Sequence, residues 1–206
     1  MIRIAIFASG AGTNAERLIE RLRGCVDIQV ARVYANRDSA GVLERARQHE
    51  VPSRVFSRSD LHSTEVLKML EIDRIDFVVL AGFLLKVPAE LVAAFKGRML
   101  NLHPALLPRF GGKGMYGAHI HAAIFEAISS EGLCETGITL HWVTSGYDEG
   151  ATIFQARTEL TAEDTPSTIA DKIRVLECKH FAPEVERTVR ECFSLGVRSD
   201  DCSGAC

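Results

Sequence analysis

The feature that most constrains this chain is an abrupt change of hydrophobic period inside its first 22 residues. Residues 3–8 form an almost unbroken apolar run, Ser9-Gly10-Ala11-Gly12 turns the chain, and Ala15, Leu18, Ile19 and Leu22 follow at helical spacing. A strand with no polar face is buried on both sides, as the strands of parallel sheets are. The pattern recurs. Strands are predicted over residues 28–35, 53–56, 77–80 and 99–102, and helices over 41–49, 59–71 and 88–95, the last opened by Pro88. Such alternation requires a mostly parallel sheet with helices on both faces, a doubly wound α/β fold. Thr13 and Glu16 are spaced as a capping box for the first helix.

The second half reads differently. A glycine-rich loop over residues 111–117 precedes a helix over 117–130. Strands over 137–143 and 152–160 flank a turn at 146–150, an antiparallel extension of the sheet. Asp164-Thr165-Pro166 starts a helix that runs on Ile169, Ile173 and Leu176 and resumes to about residue 193. Residues 195–206 are small and polar and read as a flexible tail. The length of 206 residues fits one domain over 1–206. A net charge of −3 without a basic stripe argues against a nucleic-acid partner. The apolar run at 4–8 is too short to span a membrane or serve as a signal peptide, and none of the six cysteines forms a C-x-x-C pair. The expectation is a cytoplasmic protein with free thiols and no membrane contact, a monomer or homodimer.

In doubly wound sheets ligands bind beyond the carboxyl ends of the strands, which singles out the loops at 9–14, 81–86 and 103–108. Gly10, Ala11, Gly12, Thr13 and Asn14 join a strand to a helix, where backbone N–H groups receive phosphate. With Ala15 the loop also fits the dinucleotide pattern of a nicotinamide-dependent oxidoreductase. That pattern calls for an acidic residue after the second strand, and here Asn36-Arg37 stands instead, which favours a mononucleotide. Asn101 and His103, two apart on a strand, point to the same side. An amide beside an imidazole suits a carbonyl that becomes an oxyanion, with proton transfer near neutral pH. Asp148 lies in a glycine-flanked turn, where it is a turn residue or, if the fold brings it to His103, a carboxylate favouring the protonated imidazole. His119 and His121 do not share a helix face and have no further ligand at metal spacing, so no metal is expected. His141 either lines the site or packs.

Four motifs in order, Ser9-Gly10-Ala11-Gly12-Thr13-Asn14, Leu80-Ala81-Gly82-Phe83, Asn101-Leu102-His103-Pro104-Ala105-Leu106-Leu107-Pro108 and Tyr147-Asp148-Glu149-Gly150, resemble the folate-dependent formyltransferases over about residues 2–183. The first loop narrows the resemblance to the phosphoribosylglycinamide formyltransferase branch of purine biosynthesis. The resemblance implies a Rossmann-like formyltransferase fold. It implies transfer of a formyl group from 10-formyltetrahydrofolate, as co-substrate, to the amine of glycinamide ribonucleotide. The related alternatives are a sugar N-formyltransferase or a formyltetrahydrofolate hydrolase. It implies Asn101, His103 and Asp148 as the catalytic trio. Gly10 to Asn14, Gly82 and Glu177 would hold the nucleotide, and Phe83, Leu84, Val87, Met99, Val143 and Tyr147 the folate, with backbone groups of Leu84, Val87 and the Tyr147 region on its ring. It divides the chain into a nucleotide-binding half, 1–100, and a catalytic and folate-binding half, 101–194. Three departures stand out. Leu84-Leu85-Lys86 replaces the usual Met-Arg after Gly-Phe, the 111–117 loop is longer than in many members, and Glu149 follows Asp148.

Overall fold

The computed structural model describes residues 1–194, and the predicted tail at 195–206 lies outside the described residues. Seven strands form one sheet: β1 (Ile2–Ala8), β2 (Ile28–Ala35), β3 (Ser53–Val55), β4 (Phe77–Leu80), β5 (Met99–His103), β6 (Glu135–Trp142) and β7 (Thr152–Glu159). Their order is β3-β2-β1-β4-β5-β6-β7. The first five pair in parallel, whereas β6 joins β5 and β7 joins β6 antiparallel. This is the doubly wound, mostly parallel sheet with an antiparallel extension that the sequence pattern predicts.

Strand β1 explains the layering. Ile4, Ile6 and Ala8 enter one core with α1 (Thr13–Leu22), α2 (Gly41–Gln48), α6 (Ala118–Glu131) and α7 (Pro166–Ser194). Ala5 and Phe7 enter the other with α4 (Glu65–Ile72) and α5 (Ala89–Ala94), beside the short α3 (Arg58–Leu61). Alternate residues therefore serve opposite faces, and no position is left for a polar residue. The chain winds outward from β1 to β3, then returns to β4 on the other side of β1. The switch point thus lies between the ends of β1 and β4.

Local expectations change at several points. Residues 59–71 split into α3 and α4. Ser57 caps α3 in a reciprocal box with Asp60, and Ser63 then accepts from the Glu65 N–H at 3.2 Å, so a second helix starts. The last helix does not pause but runs unbroken from Pro166 through Pro183 to Ser194. Buried Phe181, Ala182, Val185 and Val189 hold both sides of the proline in one core. Pro88 is the N-cap of α5 rather than its first helical residue. The capping box at Thr13 is absent because Gly12, at φ 76°, is itself the N-cap, and no side chain caps α1. Glu16 instead pairs with Arg45 of α2, whose Nε donates to the Ala11 carbonyl at 2.8 Å.

Gly12 is held by packing as well as by its left-handed backbone. A Cβ there would stand 2.5 Å from the Val42 side chain. Gly12→Ala is expected to destabilise the fold by about 1–3 kcal/mol in urea unfolding, and adding Val42→Ala is expected to recover little, because the Val42 Cβ and Cα that the new methyl meets at 2.5 and 2.6 Å both remain. A neutral Gly12→Ala would remove the packing argument.

Candidate active site

A cavity of about 600 Å³ opens at the carboxyl ends of β1, β4 and β5, a size usual for small-molecule sites. One end is made by Thr13 and Asn14 at the start of α1 and by Arg174 and Glu177 of α7. The other end is made by Gly82, Phe83, Leu84 and Val87 after β4, with Val143 and Tyr147 opposite. Ser9 ties the two switch-point loops together: its N–H donates to the Gly82 carbonyl at 3.0 Å, and its Oγ accepts from the Leu84 N–H at 2.9 Å.

Between the ends stand Asn101, His103, His141 and Asp148. The antiparallel register sets Asn101 directly opposite His141, which puts both side chains on one face. Asn101 Nδ2 donates to His141 Nε2 at 3.1 Å, while His141 Nδ1 donates to the Trp142 carbonyl at 2.9 Å. His103 Nε2 donates to the Phe110 carbonyl at 2.8 Å, which fixes the neutral tautomer and leaves Nδ1 toward Asp148 Oδ2 at 3.6 Å. Asp148 Oδ2 accepts from the Gly112 N–H at 2.9 Å, and Oδ1 lies 3.5 Å from His141 Nε2. Asp148 sits at φ 55°, in the turn the sequence predicts. Gly150 permits that turn, since a Cβ there would lie 1.7 Å from the Trp142 carbonyl oxygen.

The electrostatics differ from the sequence reading in one respect. Burial lowers the His103 pKa, and the opposing pull of Asp148 is the smaller effect, so the resting imidazole is neutral rather than protonated. Asp148 titrates below its usual range: burial pushes it up, but the close approach of His141, the Gly112 N–H hydrogen bond and the nearby His103 outweigh that. Glu177 is raised by burial, against the Asn14 hydrogen bond.

The sequence model of the family described as "Formyl transferase" matches residues 2–185. The chain belongs to the formyl transferase family. Among curated relatives, the chloroplastic phosphoribosylglycinamide formyltransferase of Arabidopsis thaliana is 38% identical over 190 residues, covering 89% of this chain and 64% of the relative. The chain therefore spans under two thirds of that relative's length. The phosphoribosylglycinamide formyltransferase of Bacillus subtilis (strain 168) is 30% identical over 193 residues, covering 91% of this chain and 94% of the relative. The crystal structure of the enzyme of that name from Bacillus halodurans superposes with a TM-score of 0.81 at 34% identity, covering 95% of this chain and all of that one.

In this formyl transferase fold the predicted residues divide into groups. Asn101, His103 and Asp148 meet, although 45 positions separate the last two in the chain. Thr13, Asn14 and Glu177 line one end, with Asn14 Nδ2 donating to Glu177 at 2.9 Å. Gly10 and Ala11 are exposed beyond the cavity wall. Met99 does not line the cavity: it is buried in the same core as Phe83 and Val87, and its carbonyl accepts from the Val143 N–H at 2.9 Å. The Leu84 N–H is occupied by Ser9, which leaves only the Leu84 carbonyl for a ligand. Lys86 stacks over the Tyr147 ring at 4.9 Å at the cavity mouth. His141 is a site residue that the sequence left open, and strand register is the signal that resolves it. His121 lines the cavity whereas His119 is exposed against Tyr116. Among the described residues no group of three metal-type side chains gathers, and no helix is long and apolar enough to cross a membrane.

Asp148→Asn is expected to lower the His103 titration midpoint further, because it removes the charge that favours the imidazolium. Histidine NMR across the pH range reads this directly, and an unchanged or raised midpoint would break the assigned coupling.

Proposed function

We propose that the chain transfers the formyl group of 10-formyltetrahydrofolate to the amine of glycinamide ribonucleotide. The convergence of Asn101, His103 and Asp148 midway along the cavity carries this reading, supported by relatives that bear the corresponding name. The nucleotide lies at the Asn14–Glu177 end, its phosphate toward the uncapped start of α1. The folate lies between the wall from Phe83 to Val87 and Val143, beside Tyr147. In this reading residues 1–100 mainly supply the phosphate site, and 101–194 the catalytic groups.

The chemistry follows from the bonding. The amine nitrogen attacks the formyl carbon, a C–N bond forms, and negative charge develops on the formyl oxygen. The Asn101 amide, oriented by His141, stabilises that charge. His103 Nδ1 takes the amine proton, becoming an imidazolium that Asp148 supports, while Nε2–H stays on the Phe110 carbonyl. The same proton passes to N10 of the folate as its bond to carbon breaks, so the products are the formamide and the N10–H folate. The two bound substrates react without water, and positioning removes much of the entropic barrier.

The direct experiment follows deformylation of 10-formyl-5,8-dideazafolate by absorbance, with and without glycinamide ribonucleotide. Turnover that requires the ribonucleotide supports the assignment, turnover without it makes the protein a hydrolase, and turnover only with amino sugars reassigns the acceptor. His103→Ala is expected to lower kcat by about 10²–10⁴ with a much smaller change in KM. An effect confined to KM would move His103 from chemistry to binding.

A further inference from the structure

The turn from Gly10 to Gly12 has all three of its carbonyls engaged. Gly10 accepts from the Val42 N–H at 3.1 Å, Ala11 from Arg45 Nε at 2.8 Å, and Gly12 from the Glu16 N–H at 2.9 Å. The N–H groups from Gly10 to Asn14, by contrast, have no hydrogen-bond partner among the described residues. The peptide plane links the two facts. In a trans peptide the carbonyl of one residue and the N–H of the next point in opposite directions. Holding the Ala11 carbonyl on α2 therefore turns the Gly12 N–H away from α2, and holding the Gly10 carbonyl does the same for the Ala11 N–H. A row of free N–H groups that runs into the first turn of a helix receives an anion.

Arg45 is the one side chain that bonds to the main chain of residues 10–12 among the described residues. Its guanidinium is itself anchored, because Nη1 pairs with Glu16 in the first turn of α1. His49 Nε2 approaches the other oxygen of Glu16 at 3.5 Å. The planar fork thus bridges two elements, with one arm on the turn and the other on α1. Around it α2 packs closely, since a Cβ on Gly41 would lie 3.3 Å from the Ala11 Cα.

We propose that Arg45, anchored by Glu16, is a positioning residue for the nucleotide phosphate: it keeps the Ala11 carbonyl on α2, so that the N–H groups of the turn face the phosphate oxygens. The proposal rests on the reading of the α1 start as the phosphate site. Arg45 does not line the cavity and acts through the turn. Without it the Ala11 peptide is free to rotate and to present a carbonyl oxygen, which repels phosphate, where the Gly12 N–H now stands.

The test follows the backbone amide signals of residues 10–14 by NMR as inorganic phosphate is added to wild type, Arg45→Met and Glu16→Ala, with steady-state kinetics alongside. In Arg45→Met the phosphate midpoint and the KM for the ribonucleotide are expected to rise about three- to tenfold, the worth of one hydrogen bond, with the KM for the folate little changed. An unchanged midpoint in folded Arg45→Met overturns the proposal. Glu16→Ala separates positioning from charge. It removes a negative charge near the phosphate, which by Coulomb attraction alone would tighten binding. It also releases the guanidinium from its anchor and is therefore expected to weaken binding. Tighter or unchanged phosphate binding in Glu16→Ala overturns the proposal, and this variant decides alone if Arg45→Met does not fold. Failure in the variants beside a normal wild-type response removes the role of Arg45 only. A wild type whose amides at 10–14 ignore phosphate overturns the phosphate reading itself, and the proposal with it.

Discussion

Two-sided burial of β1 is the constraint on which the rest of the molecule depends. Each of its residues from Ile4 to Ala8 is fully enclosed, alternately by the two cores. A strand so placed must be central, with neighbours on both edges and helices on both faces. Its end is then the point from which the chain leaves in opposite directions, and the loops after β1 and β4 face each other across a crevice. Ser9 closes that crevice with two hydrogen bonds and leaves the space beyond it open to ligands.

The reactive groups are held largely by main chain. The Phe110 carbonyl fixes His103, the Gly112 N–H fixes Asp148, and the Trp142 carbonyl fixes His141. Behind them, Thr139 Oγ donates to the Ala105 carbonyl at 2.7 Å and accepts from the Leu107 N–H at 3.0 Å, which braces the segment following His103. Backbone partners change little when side chains are exchanged, and they impose tautomers that a mobile side chain would not. The glycine-rich loop over residues 111–117 thereby contributes to the orientation of Asp148 through Gly112, and Phe110, just before it, to that of His103.

The departures from the family pattern find distinct places. Lys86 over Tyr147 puts a cation at the mouth of the folate end, where a point charge replaces the planar fork of an arginine. Glu149 turns back toward Gly146 on the exposed side of the turn, where a Cβ on that glycine would meet its carboxylate at 2.0 Å. The carboxylate that faces the imidazoles is Asp148.

Much of this was legible beforehand. Apolar runs of four to six residues set between helical periods specify a parallel sheet, because burial on both faces leaves no other place for them. The pairing of Asn101 with His103 on one side of a strand follows from the two-residue period alone. What the tertiary structure decided depends on elements distant in the chain. The register of β6 on β5 made His141 a partner of Asn101, and the turn after β6 brought Asp148 to His103. Packing against Val42 gave Gly12 a second reason to be glycine, and a continuous core carried α7 through Pro183. The balance between burial and counter-charge at His103 was likewise settled only in three dimensions, since desolvation depends on everything packed around a group and not on its neighbours in sequence.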